Sequence, residues 1–314
     1  MKVSEFIGHG AEVEHLMRSV QAGRIVHACI LAGPQGGGKR SLAEILVGAA
    51  LCASPEKEKR PCGFCPACKR VAAGTHPDIL NIRPEGKSIG VEAVRAMIQF
   101  LSTKPYEGGC QAVVVEQAEK MTPSAQNALL KTLEEPSGEA MVLLLTDAPG
   151  ALLSTIRSRC RLVRIPRLTG EMCSRALTQK GISQEQADFY AALSQGSVGR
   201  ALEMMEDAGY LALREKVYRS LSALKDAASV AEAASGIVPE AARAQEILEI
   251  FELAARNRLA AEAGLPLLAP EPCALALDGQ AMLSGVLRLR QMLSSNVSWP
   301  AALERYYFSI LEER

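Results

Sequence analysis

The chain has no excess of charge of either sign. Lys plus Arg and Asp plus Glu number 35 each, so the formal net charge is zero. That argues against a stand-alone nucleic-acid binder working through a strong basic field. A small basic patch, or a place in a larger assembly that meets DNA elsewhere, stays compatible with it. The start, MKVSEFIGHGAEVEHL, has no apolar stretch long enough for a signal peptide or a spanning helix, so the expected location is cytoplasmic, without membrane contact. No carboxylate cluster and no paired nucleophile and base occurs, which leaves a nuclease or transferase without support. Beyond Pro166 there is almost no strand signal.

What is present fits a globular protein of two or three domains: 314 residues, 48% hydrophobic and 22% charged. Residues 13–22 have helical apolar spacing, and Gly23 is placed to stop them. HACILAGPQGGGKRSLAEILVGAALC then reads as strand, glycine-rich turn and helix. Residues 52–78 break the rhythm with charges, prolines and cysteines, and look inserted. DILNI, AVVVE, MVLLLT and CRLVRI read as further strands; VEAVRAMIQFLS and SAQNALLKTLEE, the latter ended by Pro136, read as helices between them. Continuously apolar strands alternating with helices predict an α/β fold with a mostly parallel, doubly covered sheet. MCSRALTQ, QEQADFYAAL and GRALEMMEDA follow as short helices. Longer alanine- and leucine-rich amphipathic runs continue to the end, broken at GIVPEAA and GLPLLAPEPC. The expected domains are residues 1–166, with the insertion at 52–78, then 167–212 and 213–314, the last two all-helical.

Gly33–Pro34–Gln35–Gly36–Gly37–Gly38–Lys39 lies between a strand and a helix, the context a phosphate loop requires. Its glycines let successive N–H groups turn toward phosphates, and the lysine reaches the terminal ones. The next residue should carry a hydroxyl for magnesium, but it is Arg40. Ser41 stands about 100° further round the helix and is a poor substitute. At the end of AVVVE the acidic residue is Glu116, a methylene longer than aspartate, and the next position is Gln117, which cannot take a proton from water. Both the hydroxyl ligand and the base position depart from what hydrolysis needs, and loss of a general base alone costs roughly a hundredfold. The residues therefore predict a degenerate nucleotide site around Gly33, Gly36, Gly38, Lys39, Arg40 and Glu116, and leave ATP binding itself open. The plainer reading is a ligand-free turn beside a core strand with a charged end.

Cys52, Cys62, Cys65 and Cys68 offer four thiolates over a short polar segment. CxxC turns bring sulfur pairs to the separation that tetrahedral zinc takes, and four sulfurs leave no open position for a catalytic water. The expectation is structural zinc, with an iron–sulfur cluster or inert thiols as the other readings. His76, in THPD, reads as a capping or packing histidine. Cys29, Cys110, Cys160, Cys173 and Cys273 read as buried small residues.

GPQGGGK, CGFCPAC followed by HPD, QNALLKTLEEP, and SRC at Ser158–Cys160 together resemble the delta-prime subunits of the bacterial DNA polymerase III clamp loader, within the AAA+ superfamily. The likeness is close over about residues 5–210; the remainder matches only in being helical and of similar length. It implies an AAA+ P-loop domain with a zinc insertion, a small helical lid domain and a helical collar domain that holds the subunits in a ring. It implies that Arg159 projects into the ATP site of a neighbouring subunit. It also puts Thr146 at a phosphate-sensing position and Arg200 at a second sensing position. QNALLKTLEEP becomes the helix near the sheet edge and DNA-facing side. Arg40, Glu116 and Gln117 fall on the delta-prime side of the family, away from its ATPase subunits, so no intrinsic ATPase is expected. The implied partners are the gamma/tau ATPase subunits, the delta subunit, and indirectly the sliding clamp and primer-template DNA. An active ATPase subunit of the same loader, and a zinc-containing scaffold without a loader role, are the competing readings.

Overall fold

A computed structural model describes residues 10–24, 26–107, 109–136 and 138–312. The chain divides into two compact units. One holds residues up to Gly181 together with Gly196–Arg200; the other holds Ile182–Gln195 and Ala201 onward.

The first unit is built on five strands: β1 (Ala28–Ala32), β2 (Ile79–Ile82), β3 (Gln111–Val115), β4 (Ala140–Thr146) and β5 (Arg161–Arg164). They form one sheet in the order β2-β3-β4-β1-β5, with every pairing parallel. β1, β3 and β4 are buried along their whole length, as the unbroken apolar runs predict for a sheet covered on both faces. Strand alternation decides which helix each side chain meets. Ile30, Val113, Val115 and Leu144 pack with α4 (Val91–Leu101) and α5 (Pro123–Glu134). Cys29, Leu31, Val114 and Leu143 pack with α1 (Ala11–Gln21) and α2 (Lys39–Leu51) on the opposite face.

The insertion between α2 and β2 contains a helix that the pattern did not predict, α3 (Pro66–Ala73). Its N-cap is Cys65, whose sulfur accepts from the Cys68 N–H, and Pro66 occupies the first turn, where no donor is needed. A one-turn helix, α6 (Ser154–Arg157), connects β4 to β5. Helix α5 ends at Glu134, two residues before Pro136, with Thr122 capping its start. α7 (Gly170–Thr178) also belongs to this unit.

The second unit, among the described residues, is helical: α8 (Gln184–Leu193), the greater part of α9 (Val198–Glu206), α10 (Tyr210–Ser222), α11 (Ser229–Ser235), α12 (Ala244–Glu262), α13 (Gly279–Ser294) and α14 (Trp299–Glu312). Tyr218, Phe251, Tyr306 and Tyr307 anchor its core. The break at GLPLLAPEPC is real and well held. Asn257, fully buried, donates to the Ala269 carbonyl at 2.8 Å and accepts from the N–H groups of Leu268 at 3.0 Å and Ala269 at 3.3 Å.

Candidate functional site

The glycine loop leaves the C-terminal end of β1, where the sheet's loops gather. Gly33 donates its N–H to the Thr146 carbonyl at the end of β4. Gly36 and Gly38 have φ of +69° and +87°, a region open to glycine and strained for other residues, and Gly38 caps α2. Nζ of Lys39 donates to the carbonyls of Gly33 at 2.6 Å and Pro34 at 2.9 Å, so it folds back over the loop. Burial pushes its amine below the ordinary lysine range, against the pull of Asp147 and Glu119. The segment 196–200 lies on the same loop. Ser197 Oγ donates to the Gln35 carbonyl at 3.1 Å, and the Gly199 N–H donates to the Gly36 carbonyl at 3.1 Å. A Cβ on Gly36 would stand 2.2 Å from that serine oxygen.

Arg40 and Glu116, separated in sequence, meet here: Nη1 of Arg40 lies 3.0 Å from Oε1 of Glu116. Nε of Arg83 reaches the same oxygen at 3.1 Å, and Nε of Arg40 also binds Glu44 at 3.1 Å. Gln117 is exposed in the left-handed conformation (φ 51°), and its side-chain oxygen accepts from Lys120. Thr146 is fully buried, and its hydroxyl accepts from the Ala148 N–H at 3.1 Å. Arg200 is half-buried, and its N–H donates to Ser197 Oγ. Arg83 escaped the sequence reading because nothing in a one-dimensional pattern says that the end of β2 faces the end of β3. Ser197 escaped it because its contact crosses 162 positions.

Arg159 stands apart from these groups in the chain, between α6 and β5. Its Nε donates to Oε1 of Glu134 at 2.7 Å and its Nη1 to the Thr155 carbonyl at 2.9 Å. The side chain keeps 35% of its surface exposed. The sequence marks Glu134 only as part of an amphipathic helix; its place at the end of α5 makes it the anchor of this guanidinium.

The four cysteines converge as their spacing predicts. Cys52 follows the last residue of α2, Cys65 caps α3, and Cys68 lies in its first turn. Their sulfurs all lie within 4.8 Å of one another, with two pairs at 4.0 Å. A tetrahedron with Zn–S bonds of about 2.3 Å has edges of roughly 3.8 Å, so only slight contraction is needed. Backbone N–H groups of Cys62, Cys65 and Cys68 point at the sulfurs of Cys52, Cys62 and Cys65, each at 3.4 Å; the Cys62 and Cys65 thiols are lowered, whereas burial raises those of Cys52 and Cys68. Cys52, Cys62 and Cys68 are buried and Cys65 is half-buried. The cluster suits a structural zinc. His76 keeps out of it: its Nδ1 accepts from the Asp78 N–H at 3.2 Å. Of the other cysteines Cys29, Cys110, Cys160 and Cys173 are buried, whereas Cys273 is half-exposed. Burial pushes the thiol of Cys29 up to about 11 and those of Cys110 and Cys160 up to about 12.

Residues 8–169 match the family model described as DNA polymerase III, delta subunit. The delta′ subunit of DNA polymerase III from Pseudomonas aeruginosa is 43% identical over 176 residues, 54% of this chain and 53% of that one. The Escherichia coli delta′ subunit is 38% identical over 215 residues, 67% of this chain and 64% of that one. The chain thus matches between about half and two thirds of the length of these relatives. The Bacillus subtilis tau subunit is more distant, 27% identical over 62% of this chain and 36% of its own. Among solved structures, a gamma-subunit-related protein from Thermotoga maritima superposes with a TM-score of 0.53 over 96% of this chain and 100% of its own, at 20% identity. That likeness, with the parallel sheet, supports an AAA+-like fold. By these matches the chain belongs to the DNA polymerase III delta′ subunit family.

Proposed function

We propose that this chain is a non-hydrolysing, stator-like subunit of a bacterial replicative clamp loader. The observation that carries the reading is the ion pair between Arg40 and Glu116. The residue that should offer a hydroxyl to magnesium instead binds the carboxylate that should assist it, and Gln117 supplies no base. The family membership points the same way, since the nearer relatives reported above carry the delta′ name. On this reading the chain has no ATPase of its own. Its role is to lend Arg159 to the ATP site of a neighbouring gamma/tau-type subunit, beside a delta subunit, in a ring that meets the clamp and primer-template DNA. A guanidinium supplied across an interface stabilises charge on the phosphoryl group being transferred. Arg159 suits the task, being partly exposed and held by a carboxylate from a regular helix. The reading includes a helical lid at 167–212, a collar at 213–314, Thr146 and Arg200 as vestigial sensing positions, and residence in the cytoplasm. No described helix is long and apolar enough to cross a membrane.

The test is steady-state ATP hydrolysis by the reconstituted loader with clamp and primed DNA. The expected results are no turnover by this chain alone and a loss of at least about tenfold with Arg159→Ala. Magnesium-dependent turnover by the isolated chain would replace the stator with an ATPase subunit.

A further inference from the structure

A magnesium ion at a phosphate loop needs oxygen ligands in near-octahedral arrangement, one of them from the side chain after the lysine. Arg40 carries donors only and has no lone pair for a metal. Its Nη1 and the Nε of Arg83 both sit on Oε1 of Glu116, at 3.0 and 3.1 Å. Two guanidinium groups on one carboxylate oxygen put fixed positive charge where a divalent cation would have to enter. The ion does not fit these residues.

We propose that the Arg40 guanidinium takes the place of the metal, so that this loop holds a phosphate-chain anion without a divalent cation. The proposal rests on the degenerate-site reading and deepens it by naming how the ligand's charge is met. Glu116 and Glu44 hold the guanidinium through its Nη1 and its Nε. The Arg40 side chain is 54% exposed, so an arriving phosphate reaches it directly. Lys39, one residue before it, adds the second cation once an anion draws it from the Gly33 and Pro34 carbonyls. Guanidinium is weakly hydrated and pairs readily with phosphate oxygens. A metal-complexed phosphate chain, by contrast, arrives with part of its charge neutralised and brings a cation against Arg40 and Arg83.

The experiment is calorimetric titration of the full chain with ATP and with inorganic tripolyphosphate, each in EDTA and in excess magnesium. Both probes should bind in EDTA, and magnesium should weaken binding. Binding of ATP alone would assign a nucleoside preference within the same chemistry. Arg40→Thr should lose about tenfold in EDTA and regain affinity when magnesium is added. Glu116→Gln, which keeps the guanidinium, should retain magnesium-independent binding; thermal melting of both variants shows that they fold. Magnesium tightening the unaltered chain tenfold, or no binding of either probe under either condition, would overturn the proposal. Phosphate release in the magnesium arm is read separately: turnover there sinks the stator reading, whereas absence of binding leaves that reading standing.

Discussion

Glu134 accepts the Nε–H of Arg159 at 2.7 Å, tying the exposed arginine to the last turn of α5 across 25 residues of sequence. The pair is largely solvated, so its worth to stability is about 0.5 kcal/mol. Its effect is on where the guanidinium points. Glu134→Ala should leave the melting temperature within about 2 °C of the unaltered chain. In the reconstituted loader it should lower kcat by less than Arg159→Ala does, with KM for ATP little changed. Equal kcat for Glu134→Ala and the unaltered chain would show that the anchor does not orient the arginine.

The cysteine cluster should hold one zinc per chain, counted by release with a thiol-blocking mercurial and a chromogenic chelator. Zinc binds thiolates and frees their protons, so retention should fall as pH falls. Cys68→Ser should abolish the stoichiometric metal and loosen residues 52–78, seen as faster amide exchange there.

Thiol counting separates the two classes of cysteine. At pH 8 the thiols of Cys29, Cys110 and Cys160, pushed up to about 11 or 12 by burial, hold almost no thiolate. Iodoacetamide should spare them in the folded chain. Chelation should add Cys52, Cys62, Cys65 and Cys68 to the modified set while those three stay protected. Rapid alkylation of Cys160 in the metal-bound chain would contradict its burial.

A methyl group at Gly36 has nowhere to go. It would meet Ser197 Oγ at 2.2 Å and the Arg200 backbone nitrogen at 2.9 Å, at a φ of +69°. Gly36→Ala should cost about 1–3 kcal/mol and push the 196–200 segment off the loop. Denaturant midpoint and amide exchange at Gly199 and Arg200 report the two effects.

Asn257→Ala should destabilise the helical unit by about 3 kcal/mol, because two backbone N–H groups and one carbonyl lose their partner in a buried place. Exchange at Leu268 and Ala269 should rise most. Asn257→Asp should not rescue it, since a carboxylate cannot donate to the Ala269 carbonyl.

Much of the first unit could be read from the chain, because its strands are short apolar runs set off by glycine and proline. Ala140–Thr146 and Gln111–Val115 are buried along their whole length and are apolar in every residue but Gln111 and Thr146. The convergence of the four cysteines was legible because its geometry is local: two CxxC turns and a helix end. Arg83 and Ser197 were not, since each acts through a register or a contact that only the folded sheet creates. α3 was hidden for a different reason. Proline and cysteines in CGFCPAC look like loop chemistry, yet Pro66 at a first turn and a cysteine cap are compatible with a helix. Glu134 was visible as a residue and silent as a function, because an acidic group at the exposed end of a helix has many ordinary uses.

Helix α2 begins at Lys39 and hands over to Cys52 at its far end. It is a strut of 13 residues, about 20 Å long, clamped at one end by the phosphate loop and at the other by the thiolate cluster. A rod fixed at both ends cannot slide or turn without disturbing one of its clamps. A zinc held by the four sulfurs would therefore fix the far end of the helix whose near end carries Lys39 and Arg40.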